Sequence, residues 1–89
     1  MEFEFDPAKS ATNKDKHGID FVAAQVLWAD DGLEIVLSKS RLTDEARFLA
    51  IGRIAGKHWT AICTLRGEVI RIISVRRARK EEVDYYEGN

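Results

Sequence analysis

The chain has 89 residues, 45% of them hydrophobic and 33% charged, with a formal net charge of −1. That length predicts one domain over residues 1–89 around one core, and the apolar fraction excludes a disordered chain. No apolar run reaches the roughly 20 residues of a membrane span, the acidic start is wrong for a secretory leader, and the single Cys63 excludes an internal disulfide or a cysteine metal site, so a cytoplasmic location is the expectation.

The small net charge hides a segregation. Residues 1–38 hold three Lys/Arg and eight Asp/Glu, residues 39–80 hold eleven and three, and residues 81–89 hold four acids and no base. The blocks carry −5, +8 and −4. Such asymmetry suits a polyanionic ligand, or it is neutralised within the fold.

Residues 2–5 alternate charged and aromatic, the period of a half-buried strand with Phe3 and Phe5 inward. Asp6-Pro7 then starts a helix, which Gly18 stops. Its apolar stripe is thin (Ala8, Ala11, Thr12), and its polar side carries Lys9, Asn13, Lys14, Lys16 and His17. The cations of its last turn complement the helix dipole. Asp20 caps a second helix over residues 21–29, with Phe21, Ala24, Val26, Leu27 and Trp28 as its core contribution. Asp30-Asp31-Gly32 is a turn.

Four strands follow, over residues 33–38, 45–55, 58–65 and 69–75, with a polar loop at 38–44 and tight turns at Ala55-Gly56-Lys57 and Arg66-Gly67-Glu68. A short helix at 80–86 closes the chain, with Val83 and Tyr86 as its apolar contact. The order is β-α-α-β-β-β-β-α, which predicts an α+β fold: a mostly antiparallel twisted sheet with helices on one face. Arg47, Arg53 and Arg71 are charged members of otherwise apolar strands and mark where the second face meets solvent or ligand.

The last strand delivers four cations in five residues, Arg76, Arg77, Arg79 and Lys80. Strand alternation places Arg71 and Arg77 on one side, and Ser74 and Arg76 on the other. One arginine of the cluster pairs with Glu81 or Glu82 in the alternative reading. Arg66, in a turn, is a further cation.

These residue types suit metal-free cleavage of RNA, with no cofactor. RNA supplies its own 2′-OH nucleophile. The protein then needs a base, cations for the crowded phosphorane and an acid for the leaving oxygen. Arginine matches phosphate oxygens with a planar fork, and histidine titrates near neutrality. His17, beside Lys14 and Lys16 at a helix end, is the stronger histidine, while His58 after a turn reads as plain surface.

Phe5-Asp6-Pro7-Ala8-Lys9, then Asn13, then Lys16-His17-Gly18-Ile19 with Phe21, resembles the N-terminal signature of the BrnT toxin family, also called the DUF497 family. Arg47-Phe48-Leu49-Ala50-Ile51-Gly52 resembles its central strand, and Arg71-Ile72-Ile73-Ser74-Val75-Arg76-Arg77-Ala78 with Tyr86-Glu87 its C-terminal signature. The resemblance implies a RelE-like fold and the ribonuclease toxin of a type II toxin–antitoxin pair, inhibiting translation. It also implies a BrnA-like ribbon-helix-helix antitoxin, through which alone DNA is contacted. Carried over position by position, it implies a site of Lys16, His17, Arg71, Ser74, Arg76 and Arg77. The acidic stretch after Arg77 departs from the more basic one common in the family. On this reading His17, Arg71, Arg76 and Arg77 are catalytic, and Lys16, Ser74 and Arg66 bind substrate. The competing expectation is a non-catalytic interaction module whose cationic face docks an acidic partner.

Overall fold

The structure is a computed structural model that describes residues 1–38 and 46–88. The expected loop at 39–44 and the expected strand start at Glu45 lie outside the described residues. In chain order the elements are β1 (Glu2–Glu4), α1 (Pro7–His17), a 3-10 helix (Ala23–Ala29), β2 (Glu34–Leu37), β3 (Arg47–Ile54), β4 (Lys57–Arg66), β5 (Val69–Arg77) and α2 (Lys80–Glu87). The strands form a five-stranded sheet in the order β1-β5-β4-β3-β2. β1 runs parallel to β5 and the other pairings are antiparallel, so the fold is α+β with a mixed sheet.

Local chemistry sets most boundaries. The Ala8 N–H donates to Asp6 Oδ1 at 2.9 Å, and Gly18, at φ 82°, ends α1 with its N–H on the Lys14 carbonyl. Ala55 and Gly56 both have positive φ and join β3 to β4 through a two-residue turn whose twist matches the strands.

The second helix differs from expectation. It is 3-10 and begins at Ala23, after the Asp20 side chain accepts from the Ala23 N–H at 2.8 Å. Phe21, Ala24 and Leu27 are the residues this segment buries, a spacing of three that matches three residues per turn. Val26 falls off that stripe and is 52% exposed, contrary to its expected core role.

The sheet has two unlike faces. The inner face presents Phe48 and Ala50 from β3, Ala61 and Cys63 from β4, and Ile70, Ile72 and Val75 from β5. Ile19, Phe21, Ala24 and Leu27 cover it, with edge-on aromatic pairs Phe3–Trp28 at 4.9 Å and Phe5–Phe21 at 5.7 Å. Gly52 sits where an added side chain would be crowded: a Cβ would lie 3.0 Å from Leu27 and 3.1 Å from Asp30. The outer face carries Arg47, Ile51, Thr60, Thr64, Arg71 and Arg76. α2 lies over the end of that face nearest the β3–β4 turn, with Glu82 bonded to Thr60 and Arg76. The 3-10 helix therefore packs on the inner face and α2 on the outer one, so the expectation of helices on one face does not extend to α2.

One irregularity in β5 reorganises the basic cluster. Ile72 pairs with Cys63, but Ser74 pairs with Ile62, so Ile73 is an extra residue in a β-bulge. The bulge reverses the alternation beyond it. Val75 turns inward and Arg76 outward, on the same face as Arg71, while Arg77 pairs with Trp59 on the inner side. The expected Arg71–Arg77 pair is therefore overturned: the arginine that shares a face with Arg71 is Arg76.

Candidate active site at the seam of α1 and β5

β1 covers the edge of β5 only as far as Arg71, so the rest of that edge has open backbone groups. α1 crosses this gap. Asn13 donates from Nδ2 to the Val75 and Ile19 carbonyls, both at 2.8 Å, and the Val75 N–H donates back to Oδ1 at 3.2 Å. One side-chain amide thus stands in for a strand neighbour. Ser10 helps by accepting from the Phe21 N–H at 2.9 Å. The face α1 buries is consequently polar, Ser10 and Asn13, and the Ala8, Ala11 and Thr12 expected inside are exposed. Asn13, expected on the polar solvent side, is the anchor of the helix.

That anchoring presses the last turn of α1 against the bulge. Thr12, Asn13, Lys16, His17, Ile73 and Ser74 line a solvent-open cleft of about 280 Å³. Lys16 and His17 stand exposed on its helical wall, and Ser74 is half-buried on its strand wall. The cleft therefore joins an imidazole, the ammonium groups of Lys9 and Lys16, and a hydroxyl. Arg71 lies on the outer face of the same strand, at the outward position before Ser74, with Nη1 3.4 Å from Glu4 Oε2.

The other sequence-predicted residues are placed apart. Arg66 Nε is 3.6 Å from the same Glu4 carboxylate. Arg77 lies over the Trp59 ring, 5.5 Å from its centroid. Arg76 makes a two-pronged ion pair with Glu82, at 2.7 and 2.9 Å, and this pairing raises its pKa further. Burial pushes the Glu82 carboxyl up, but hydrogen bonds from Arg76, the Arg79 N–H and Thr60 outweigh it and hold the pKa at about 2. Arg76 thus fastens α2 to the sheet.

His58 is not plain surface either. Its Nε2 lies 2.7 Å from Glu87 and its ring meets Tyr86 edge-on, while Tyr86 donates to Asp30 at 2.8 Å. These contacts tie the end of α2 to the β3–β4 turn. Burial raises the pKa of Cys63 to about 12, so it supplies no thiolate.

Sequence reading missed the anchoring role of Asn13 and the part of Thr60, and named Glu82 only as one of two possible partners for the cluster. A signal for Asn13 was present: Ser10, Asn13 and His17 recur at helical spacing, and an Asn inside a helix is a poor helix former that needs a reason. Residues 5–82 match the family model described as "Ribonuclease toxin, BrnT, of type II toxin-antitoxin system". Among curated proteins no match is found.

Proposed function

The chain belongs to the BrnT family of ribonuclease toxins from type II toxin–antitoxin systems, and we propose that the cleft between α1 and β5 is where it cuts RNA, without a metal ion. The 2′-oxygen attacks phosphorus as the bond to the 5′-oxygen breaks, leaving a 2′,3′-cyclic phosphate and a 5′-hydroxyl. His17 handles a proton at one of these two oxygens, and the complementary transfer runs through solvent, to which the cleft is open. Lys16 offsets the charge of the phosphorane, Arg71 holds the phosphate group next to it, and the Ser74 hydroxyl donates to a phosphate oxygen. Arg76 contributes by holding α2.

The observation that carries this reading is the convergence of His17, Lys16 and Ser74 on one cleft in a chain of this family. RelE-like architecture, inhibition of translation and neutralisation by a BrnA-like ribbon-helix-helix antitoxin extend the same proposal. The test is cleavage of RNA by the purified protein in EDTA. Full activity is expected, with His17→Ala reducing the rate roughly 100-fold or more. Activity that disappears in EDTA and returns with added metal overturns the mechanism. So does a His17→Ala variant as fast as the parent.

A further inference from the structure

A second feature of the outer face lies outside the cleft. Thr64 on β4 faces Arg47 on β3 and Arg71 on β5, so the three side chains form one row across adjacent strands. Arg47 and Arg71 are two strand spacings apart, roughly 10 Å between backbones. Thr64 is 1% exposed, and among the described residues its Oγ1 has no hydrogen-bond partner; neither has the buried Nε of Arg47. A buried hydroxyl left unpaired costs about 1–3 kcal/mol. If packing were the only demand, valine would fill this strand position without that cost. Two unpaired donors in one row, flanked by a second guanidinium, match the acceptor-only surface of a phosphate.

We propose that Arg47, Thr64 and Arg71 form a phosphate-binding subsite that holds the RNA backbone beside the linkage in the cleft. The subsite rests on the ribonuclease reading for its ligand. Its route to the cleft is short, because Ser74 is the next outward position of β5 after Arg71 and lines the cleft as well. Arg47 and Arg71 have long flexible stems that can part to admit a phosphate oxygen to Thr64. Glu4, 3.4 Å from Arg71, is the carboxylate that the incoming phosphate displaces as partner.

The experiment measures binding of a short RNA carrying 2′-O-methyl groups, which cannot be cut, at fixed salt. Arg47→Gln is expected to weaken binding roughly 10-fold or more, and Thr64→Val by several-fold. Thr64→Ser, which keeps the hydroxyl, stays near the parent. Lys57→Gln, which removes an equal charge at the start of β4, beside the far end of β3 from Arg47, changes binding less than about 2-fold. Thr64→Val and Arg47→Gln variants that bind like the parent overturn the subsite, even if the parent cleaves RNA. A parent that cleaves nothing, yet binds the oligonucleotide through Thr64 and Arg47, removes the catalytic reading and leaves the subsite standing.

Discussion

Glu82 is 8% exposed, and its carboxylate accepts four hydrogen bonds, two from Arg76 and one each from Thr60 and the Arg79 N–H. Its folded pKa of about 2 lies below the ordinary 4.5. Stabilisation is complete above pH 4.5 and is lost as pH falls through 2, and the shift is worth about 3 kcal/mol at most. Urea midpoints between pH 6 and pH 2 should therefore fall more steeply for the parent than for Glu82→Gln, which starts lower and changes less. Equal slopes for the two would deny Glu82 this role. Arg76→Ala leaves a buried carboxylate without its partner, at a cost of about 3–5 kcal/mol. Lost activity in that variant reads first as lost structure, so a thermal melt must accompany any assay of it. The sequence named Glu82 as one of two possible partners for the basic cluster. It did not reveal that Thr60, 22 positions away, completes the site, because nothing local marks a threonine in a strand as a donor to a distant helix.

At the scale of elements, α1 is a helix held by polar groups. Its buried residues are Ser10 and Asn13, and the amide of Asn13 bridges positions 62 apart in sequence. Asn13→Asp keeps the shape but removes both donors and points a carboxylate at two carbonyls. It should destabilise the fold by about 2–4 kcal/mol and lower RNA cleavage by displacing Lys16 and His17. A melting temperature unchanged in this variant would mean that α1 is held by something else. The helix ends were readable because Asp6, Pro7 and Gly18 act locally, and so was the β3–β4–β5 meander, whose alternation and turns lie within a few residues of each other. The bulge at Ile73 was not. Ile72 and Ile73 are chemically alike, so the sequence carries no sign of where the alternation slips. That single slip moved Arg76 to the face of Arg71 and left Arg77 on Trp59. Half of the cleft, Lys16 and His17, came from a readable helix end, and its strand wall depended on the unreadable bulge.

For the whole molecule, a net charge of −1 and a pI near 6.1 argue against attraction to RNA by bulk charge. The +8 block of residues 39–80 is partly spent on ion pairs within the chain: Arg76 on Glu82, Lys80 on Asp84 at 2.9 Å, and Arg66 against Glu4. What faces the path from the outer sheet to the cleft is a short set of cations, Arg47, Arg71, Lys9 and Lys16. If these four cations engage phosphates, the logarithm of the affinity for single-stranded RNA should fall with the logarithm of salt with a slope of about −3, at roughly 0.7 per contact. Lys16→Gln should make that slope shallower by about 0.7, and Lys57→Gln should leave it unchanged. A slope near −5 would mean that the +8 block acts as a diffuse patch, with Arg53, Arg77 and Arg79 also on the nucleic acid. A slope near zero would mean that bases or sugars, and not phosphates, carry the affinity. The measurement separates a built row from a charged surface because ion pairs inside the fold release no counterions when RNA binds.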